Sequence, residues 1–330
     1  MNPSFPGNVR DRTDADLVSG WSLVLAAAGA AEEAAAADRV AGFACDADGR
    51  LRELAVTDAS AVLAWEPDRG WRSLLPAQDA RSAVFDLYLP FCSAHARCPR
   101  TVGHIGQSLD GFVATAAGDS YYVTGPGNLL HLHRMRALCD AVIVGAETVI
   151  IDNPRLTTRL ATGSNPLRVI LDPSRRVAGN QNVFRDGAAP TLRACLAPGG
   201  AAAVSEGVSD LPVAGFEGRM DLADLLRQLR ARGCVRVFVE GGGITVSAFL
   251  QAGLLDRLQI AIAPLLIGEG RPALRLPSSQ SLAQCLRPAA RVFRMGRDVL
   301  YDCDMATPST RDDADTEASA ATDEVLSRLI

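Results

Sequence analysis

Four stretches of this chain place small and polar residues directly after an apolar run, where an open α/β sheet leaves groups free to meet a ligand. They are Gly103-His104-Ile105-Gly106-Gln107-Ser108-Leu109-Asp110-Gly111, Gly145-Ala146-Glu147-Thr148, Asp152-Asn153-Pro154-Arg155-Leu156-Thr157-Thr158-Arg159, and Glu240-Gly241-Gly242-Gly243-Ile244-Thr245. In the last, a strand ends in three glycines and a helix begins, so backbone N–H groups and the positive helix end suit an anion. A tight strand-to-helix turn is the plainer alternative, since the pattern is neither Gly-x-Gly-x-x-Gly nor a Walker A loop. Gly145 to Thr148 offers a second backbone approach, and two such sites suit a long ligand with separated phosphates. Arg136, Arg155 and Arg159 carry planar guanidinium groups able to hold a phosphate bidentately. The turn Asp152-Asn153-Pro154 is suited to aim Arg159 inward. Asp110 reads either as a proton donor or as an Asp-Gly turn capped by its own carboxylate. His104, His131 and His133 are general-acid options, the latter two on different helix faces. Spacing alone assembles no Ser-His-Asp set and no metal site.

Composition narrows the chemistry. All 33 basic residues are Arg, which removes Schiff-base, P-loop and general-base lysines and leaves Arg to bind any anion. The formal charge of -5 is concentrated at the end: residues 305–330 hold six acids and two Arg, hence -4 of it. The nearly neutral remainder gives no basic surface for nucleic acid. Eight scattered Cys read as buried free thiols in a chain without a secretory signal. The cluster Cys92-Ser93-Ala94-His95-Ala96-Arg97-Cys98 lacks a compact Cys-x-x-Cys pair, so zinc is not expected. The apolar stretch Trp21 to Ala31 is too short to span a bilayer, and a cytoplasmic, membrane-free protein is expected.

These residues need elements to position them. Residues 1–13 read as a loose arm, and 14–98 as a small α+β domain: an Ala-rich helix from Asp14 to Asp38, then short strands at Val40–Ala44, Leu51–Val56 and Ala61–Trp65. A boundary falls in Phe91–Arg100. A second domain, 101–304, begins with a strand from Val102 to Ala114 interrupted by a polar loop. It continues with a helix at Asn128–Cys139 and strands at Ala141–Val144 and Arg168–Leu171. Asp221–Arg232 is an amphipathic helix with Asp221 as N-cap and Gly233 as stop. Val235–Val239 is a strand, Gly243–Gln251 a helix, Leu258–Ile267 a strand, and Val292–Met295 with Val299–Cys303 a hairpin. The acidic tail, 305–330, reads as disordered, with a short helix possible at Asp323–Leu329.

Over Thr101 to Asp304 the chain resembles the reductase domain of riboflavin biosynthesis enzymes (RibD C-terminal), the 5-amino-6-(5-phosphoribosylamino)uracil reductases. The resemblance rests on Ser108-Leu109-Asp110-Gly111, Gly118-Asp119-Ser120, Gly145-Ala146-Glu147-Thr148, Asp152 to Arg159, Leu171-Asp172-Pro173 and Glu240-Gly241-Gly242-Gly243, in that order. It implies a dihydrofolate-reductase-like α/β fold, with a mixed, mostly parallel sheet flanked by helices, and a homodimer. It implies NADPH as cofactor, met by Gly106, Tyr122, Thr148, Asp152 and Gly242 to Ser247, which includes Gly243, Ile244 and Thr245; Gly145 joins them as a backbone approach. A phosphorylated small-molecule substrate would meet Ser120, Arg136, Leu156, Arg159 and Glu240, with hydride delivered to the ribosyl C1′. Asp110 and Glu240 become the catalytic candidates, and Arg175 with Arg176 candidates for the cofactor 2′-phosphate. The His-x-Glu and Pro-Cys-x-x-Cys marks of an N-terminal deaminase are missing, so deamination is not expected. A paralogue reducing another small molecule and a non-catalytic nucleotide-binding scaffold are the alternative functions.

Overall fold

A computed structural model describes residues 13–46, 49–121, 123–196 and 207–308. The expected arm before Thr13, the contact assigned to Tyr122 and the helix at Asp323–Leu329 lie outside the described residues. The chain divides into two compact units: one holds the residues up to Arg100 with Leu138–Asp140 and Arg230–Arg236, the other the remainder from Thr101.

In the first unit, α1 (Thr13–Ala37) forms where Ala dominates. Strands β1 (Ala41–Cys45), β2 (Leu51–Leu54), β3 (Leu63–Glu66) and β4 (Gly70–Ser73) make an antiparallel sheet in the order β2-β1-β3-β4. Helix α2 (Ser82–Cys92) follows. Trp71 sets its ring edge-on to Phe43 and Trp65, at 4.9 and 5.1 Å between centroids, and Trp21 of α1 meets Tyr88 of α2 at 5.4 Å. β4 and α2 are additions to the sequence reading: β4 is too short to show a period, and Pro90 interrupts the helical signal of α2. Cys92 points inward and donates to the Val24 carbonyl at 3.5 Å, with burial pushing its thiol up to about 12. All eight cysteines are free, but Cys45 and Cys285 are exposed rather than buried.

The second unit is built on a nine-stranded sheet, in the order β10-β9-β8-β7-β13-β5-β14-β17-β16. Along the chain it runs β5 (Arg100–Ser108), β6 (Phe112–Thr115), α3 (Pro126–Leu138), β7 (Ala141–Gly145), α4 (Ala146–Asp152), β8 (Leu167–Leu171), α5 (Asn182–Arg185), β9 (Thr191–Leu196) and β10 (Val208–Val213). A two-residue ribbon, β11 (Gly215–Phe216) with β12 (Arg219–Met220), leads to α6 (Leu222–Arg230) and β13 (Arg236–Val239). Then come α7 (Gly243–Gln251), β14 (Arg257–Ala263), β15 (Gly270–Pro272), β16 (Pro288–Met295) and β17 (Asp298–Pro308). Strands β10 and β9, β9 and β8, β8 and β7, β7 and β13, and β14 and β5 pair in parallel, while β17 and β16 close the edge antiparallel. This is the mixed, mostly parallel α/β sheet that the resemblance implies. Val142, Ile143, Val144, Val169, Ile170, Phe238 and Val239 are fully buried, the near-continuous apolar run expected of central parallel strands.

Several boundaries differ from the sequence reading. The run expected as one strand from Val102 to Ala114 splits: β5 stays in the sheet, and β6 leaves it to pair with β15. β14 ends at Ala263, ahead of Pro264, which offers no N–H to a ladder. β17 runs to Pro308, past the expected strand end at Cys303. Other features match: Asp221 Oδ1 accepts from the Ala223 and Asp224 N–H groups at 3.0 Å, and Gly233 stops the helix at φ +84. Among the described residues, no helix is long and apolar enough to cross a membrane.

Candidate active site

The strand order creates the site. From β7 the chain passes through α4 to β8, toward the β10 edge; from the neighbouring β13 it passes through α7 across β5 to β14, toward the other edge. Adjacent strands whose connections diverge leave a crevice at their carboxyl ends, where α/β sheets bind ligands. The two glycine-containing loops meet there. Gly242 N donates to Thr148 Oγ1 at 3.2 Å, and a Cβ on Gly145 would stand 2.5 Å from Thr245 Oγ1. Gly243 faces backbone: a Cβ there would lie 2.1 Å from the Ala273 carbonyl oxygen. Gly241 has φ +101, a conformation that favours glycine, and Ile244 is exposed on the first turn of α7. The sequence-predicted Gly145, Thr148, Gly242, Gly243, Ile244 and Thr245 are therefore brought together.

Beside this crevice lies an Arg-rich cluster around one carboxylate. Glu240 is buried, and both its oxygens are taken by Arg136: Nε to Oε2 at 2.8 Å, and Nη2 to Oε1. Arg136 Nη1 also reaches the Thr157 carbonyl at 3.3 Å. Arg159 donates from Nη1 to Thr157 Oγ1 at 2.7 Å. Burial, with Arg136 and Arg155 nearby, lowers the Arg159 pKa. Leu156 is buried at φ +55 and Asn153 sits at φ +43, so the chain doubles back twice to present Arg155 and Arg159. The fully buried Arg168 of β8 braces this turn, donating to the Arg155 carbonyl at 3.1 Å, Asp186 Oδ1 at 2.7 Å and the Ala189 carbonyl at 2.7 Å. Sequence reading missed Arg168 and Thr157 as parts of the site, because their partners are distant in sequence or are backbone atoms.

The remaining expected residues have partners of their own. Asp110 joins two loops. Its carboxylate accepts from Ser108 Oγ at 2.5 Å, from Ile267 N at 3.1 Å and from Gly268 N at 2.7 Å, tying two loops together. The Ser108 and Gly268 bonds lower its pKa to about 2, so it stays ionised. Arg175 is engaged at both ends of its guanidinium: Asp210 takes its Nε at 3.1 Å and the Leu196 carbonyl accepts from its Nη1 at 3.4 Å. Arg176 instead reaches Glu147, in the first turn of α4, at 3.0 Å. Gly106 serves packing: a Cβ there would be 2.9 Å from Thr124 Cγ2. Ser120 donates to Asp152 Oδ1 at 3.5 Å, with burial raising the Asp152 pKa. The histidines are poor acids: burial lowers His104 to about 4, His131 to about 3 and His133 to about 4. His131 meets Gln259 at 2.9 Å while His133 accepts from the Arg159 backbone, on the different helix faces that their spacing requires.

With this geometry in place, residues 102–301 match the RibD C-terminal domain. The chain belongs to that family. A 2,5-diamino-6-ribosylamino-4(3H)-pyrimidinone 5′-phosphate reductase of Methanothermobacter thermautotrophicus is 34% identical over 213 residues, covering 62% of this chain and 97% of that protein. Riboflavin biosynthesis protein RibD of Corynebacterium ammoniagenes is 36% identical over 216 residues, but the match spans only 58% of its length and 64% of this chain. Among solved structures, the deaminase/5-amino-6-(5-phosphoribosylamino)uracil reductase of Thermotoga maritima is similar at a TM-score of 0.56 and 27% identity, over 69% of this chain and 60% of that one. The RibD C-terminal match begins at residue 102, so the first unit lies outside it up to Arg100.

Proposed function

We propose that this chain is an NADPH-dependent reductase of a 5′-phosphoribosylamino-pyrimidine, turning the ribosyl group into a ribityl group. The observation that carries this reading is the meeting, at one switch point, of a glycine loop fit for a phosphate-bearing cofactor with a buried carboxylate held by Arg136 and with Arg159 close by. The relatives' reductase names support it. Gly241 to Thr245 and Gly145 to Thr148 would hold the cofactor: their tight mutual approach excludes side chains, and the nine-residue α7 turns its positive end toward them. NADPH, when bound, supplies the hydride. Arg176 is suited to the 2′-phosphate.

The chain's own work is to bind and align. Arg159 and Arg155 offer guanidinium groups to the substrate phosphate, whose charge would offset the burial and the neighbouring arginines that lower Arg159. Glu240, fixed by Arg136, orients the ribosyl hydroxyls. In the ring-opened imine, C1′ gains a hydride and the adjoining nitrogen gains a proton, giving the amine. Holding C1′ in place and excluding water supply most of the acceleration that the protein contributes. The homodimer implied by the family would use the β16–β17 edge, where Val292, Val299 and Tyr301 are exposed and Val292 stands opposite Tyr301. Mass spectrometry of reactions with the deaminated and non-deaminated phosphoribosylamino-pyrimidines tests the reading. A product heavier by one hydride and one proton supports it; unchanged mass with both substrates overturns it.

A further inference from the structure

The loop that carries Arg155 and Arg159 is held at almost every peptide, and the holds differ in kind. Arg168 grips the Arg155 carbonyl, Arg136 the Thr157 carbonyl, and Asn165 Oδ1 accepts from Thr158 N at 2.8 Å. One side chain holds the end that matters most: His133 Nδ1 accepts from Arg159 N at 2.8 Å and from Leu160 N at 3.4 Å. His133 belongs to α3 and is buried to 1% exposure, so this acceptor is fixed to a helix while the loop is not. The loop also stores backbone strain, with left-handed φ of +43 at Asn153 and +55 at Leu156, which persists only where the surroundings hold it. Arg136 and Arg155 push on Arg159. A loop under both stresses relaxes unless its N–H groups are anchored, and beside the Arg136 and Arg159 guanidinium groups the anchor has to be uncharged.

We infer that His133 is a positioning residue for substrate phosphate, holding the Arg159 and Leu160 N–H groups through Nδ1 and so fixing where the Arg159 guanidinium stands. This rests on the reading of Arg159 as a phosphate contact. It requires the tautomer with the proton on Nε2, which leaves Nδ1 free to accept.

Isosteres separate this role from mere packing. Asn places its Oδ1 where His carries Nδ1; Gln places its oxygen where His carries Nε2. The test compares wild type, His133→Asn and His133→Gln in steady-state kinetics with the phosphorylated pyrimidine, NADPH binding, and calorimetric titration with ribose 5-phosphate, each after a thermal melt. His133→Gln is expected to raise KM and the ribose 5-phosphate Kd roughly tenfold, with NADPH affinity and kcat within about twofold. His133→Asn is expected to stay within about threefold of wild type on every measure. In an Arg159→Ala background His133→Gln should have no further effect. Should His133→Gln fail to fold, His133→Ala takes its place in the same comparison. Equal losses in the Asn and Gln variants, no loss in either, or a wild type that ignores ribose 5-phosphate would overturn the inference. A wild type that binds ribose 5-phosphate with the expected variant pattern, yet reduces neither pyrimidine, sinks the proposed substrate and leaves the role of His133 standing.

Discussion

At the residue scale, charge placement decides what each group can do. Arg136 and Glu240 are a buried pair, so removing one partner strands the other's charge. Arg136→Ala is expected to cost about 3 to 5 kcal/mol of stability, read from urea unfolding. Arg159, more exposed, should lose substrate binding by about 2 kcal/mol or more when replaced by Ala, with little change in unfolding; equal losses in both measures would contradict its role. Asp110 shows how a residue can be legible in type while its partners are not. Its Asp-Gly turn was readable, but Ile267 and Gly268, which hold its carboxylate, are remote in sequence. Asp110→Asn should therefore keep kcat within about threefold, where loss of a true proton donor would cost about a hundredfold or more. The hydrogen bonds that hold Asp110 favour its ionised form, so the staple survives acidification down to about pH 2 and is lost as pH falls through that value.

At the scale of elements, the glycine loops were legible because glycine after a buried strand has few uses. Helix α7 and the α6 cap were readable for the same local reason: their signals lie within a few residues. What sequence could not give was the neighbourhood. Nothing in Gly145-Ala146-Glu147-Thr148 says that β13 lies beside β7, yet that adjacency brings Thr148 to Gly242. Pairing β6 with β15, away from the main sheet, is likewise a long-range choice that apolar periodicity does not record. Gly243→Ala probes this packing directly. Its Cβ meets backbone, which cannot rotate away, so we expect a loss of about 1 to 3 kcal/mol in stability with weakened NADPH binding. A variant with wild-type melting and cofactor affinity would contradict the close approach.

At the scale of the whole molecule, the buried histidines tie stability to pH. His104 donates to Asn128 and His131 to Gln259, both as neutral rings whose pKa burial lowers to about 4 and about 3. The unfolded chain protonates these rings near 6.5, so it binds protons that the folded protein refuses, and stability falls as pH drops below that value toward the folded ones. By linkage each ring costs about 2 kcal/mol by pH 5. Melting curves between about pH 7.5 and 5 should show this, and His131→Gln should flatten the decline. The exposed apolar β16–β17 edge makes a second prediction: Tyr301→Arg should shift the protein to monomer in light scattering if two copies pair there.

The reaction proposed for this crevice is reduction of a phosphorylated substrate with NADPH. It is tested most directly by following NADPH oxidation with the phosphoribosylamino-pyrimidines and their dephosphorylated forms, in wild type and Arg159→Ala. Wild type should turn over a phosphorylated substrate, with turnover sharply reduced by removing either the phosphate or the Arg159 guanidinium. NADPH binding without turnover of any of them, or turnover indifferent to both phosphate and Arg159, would contradict it.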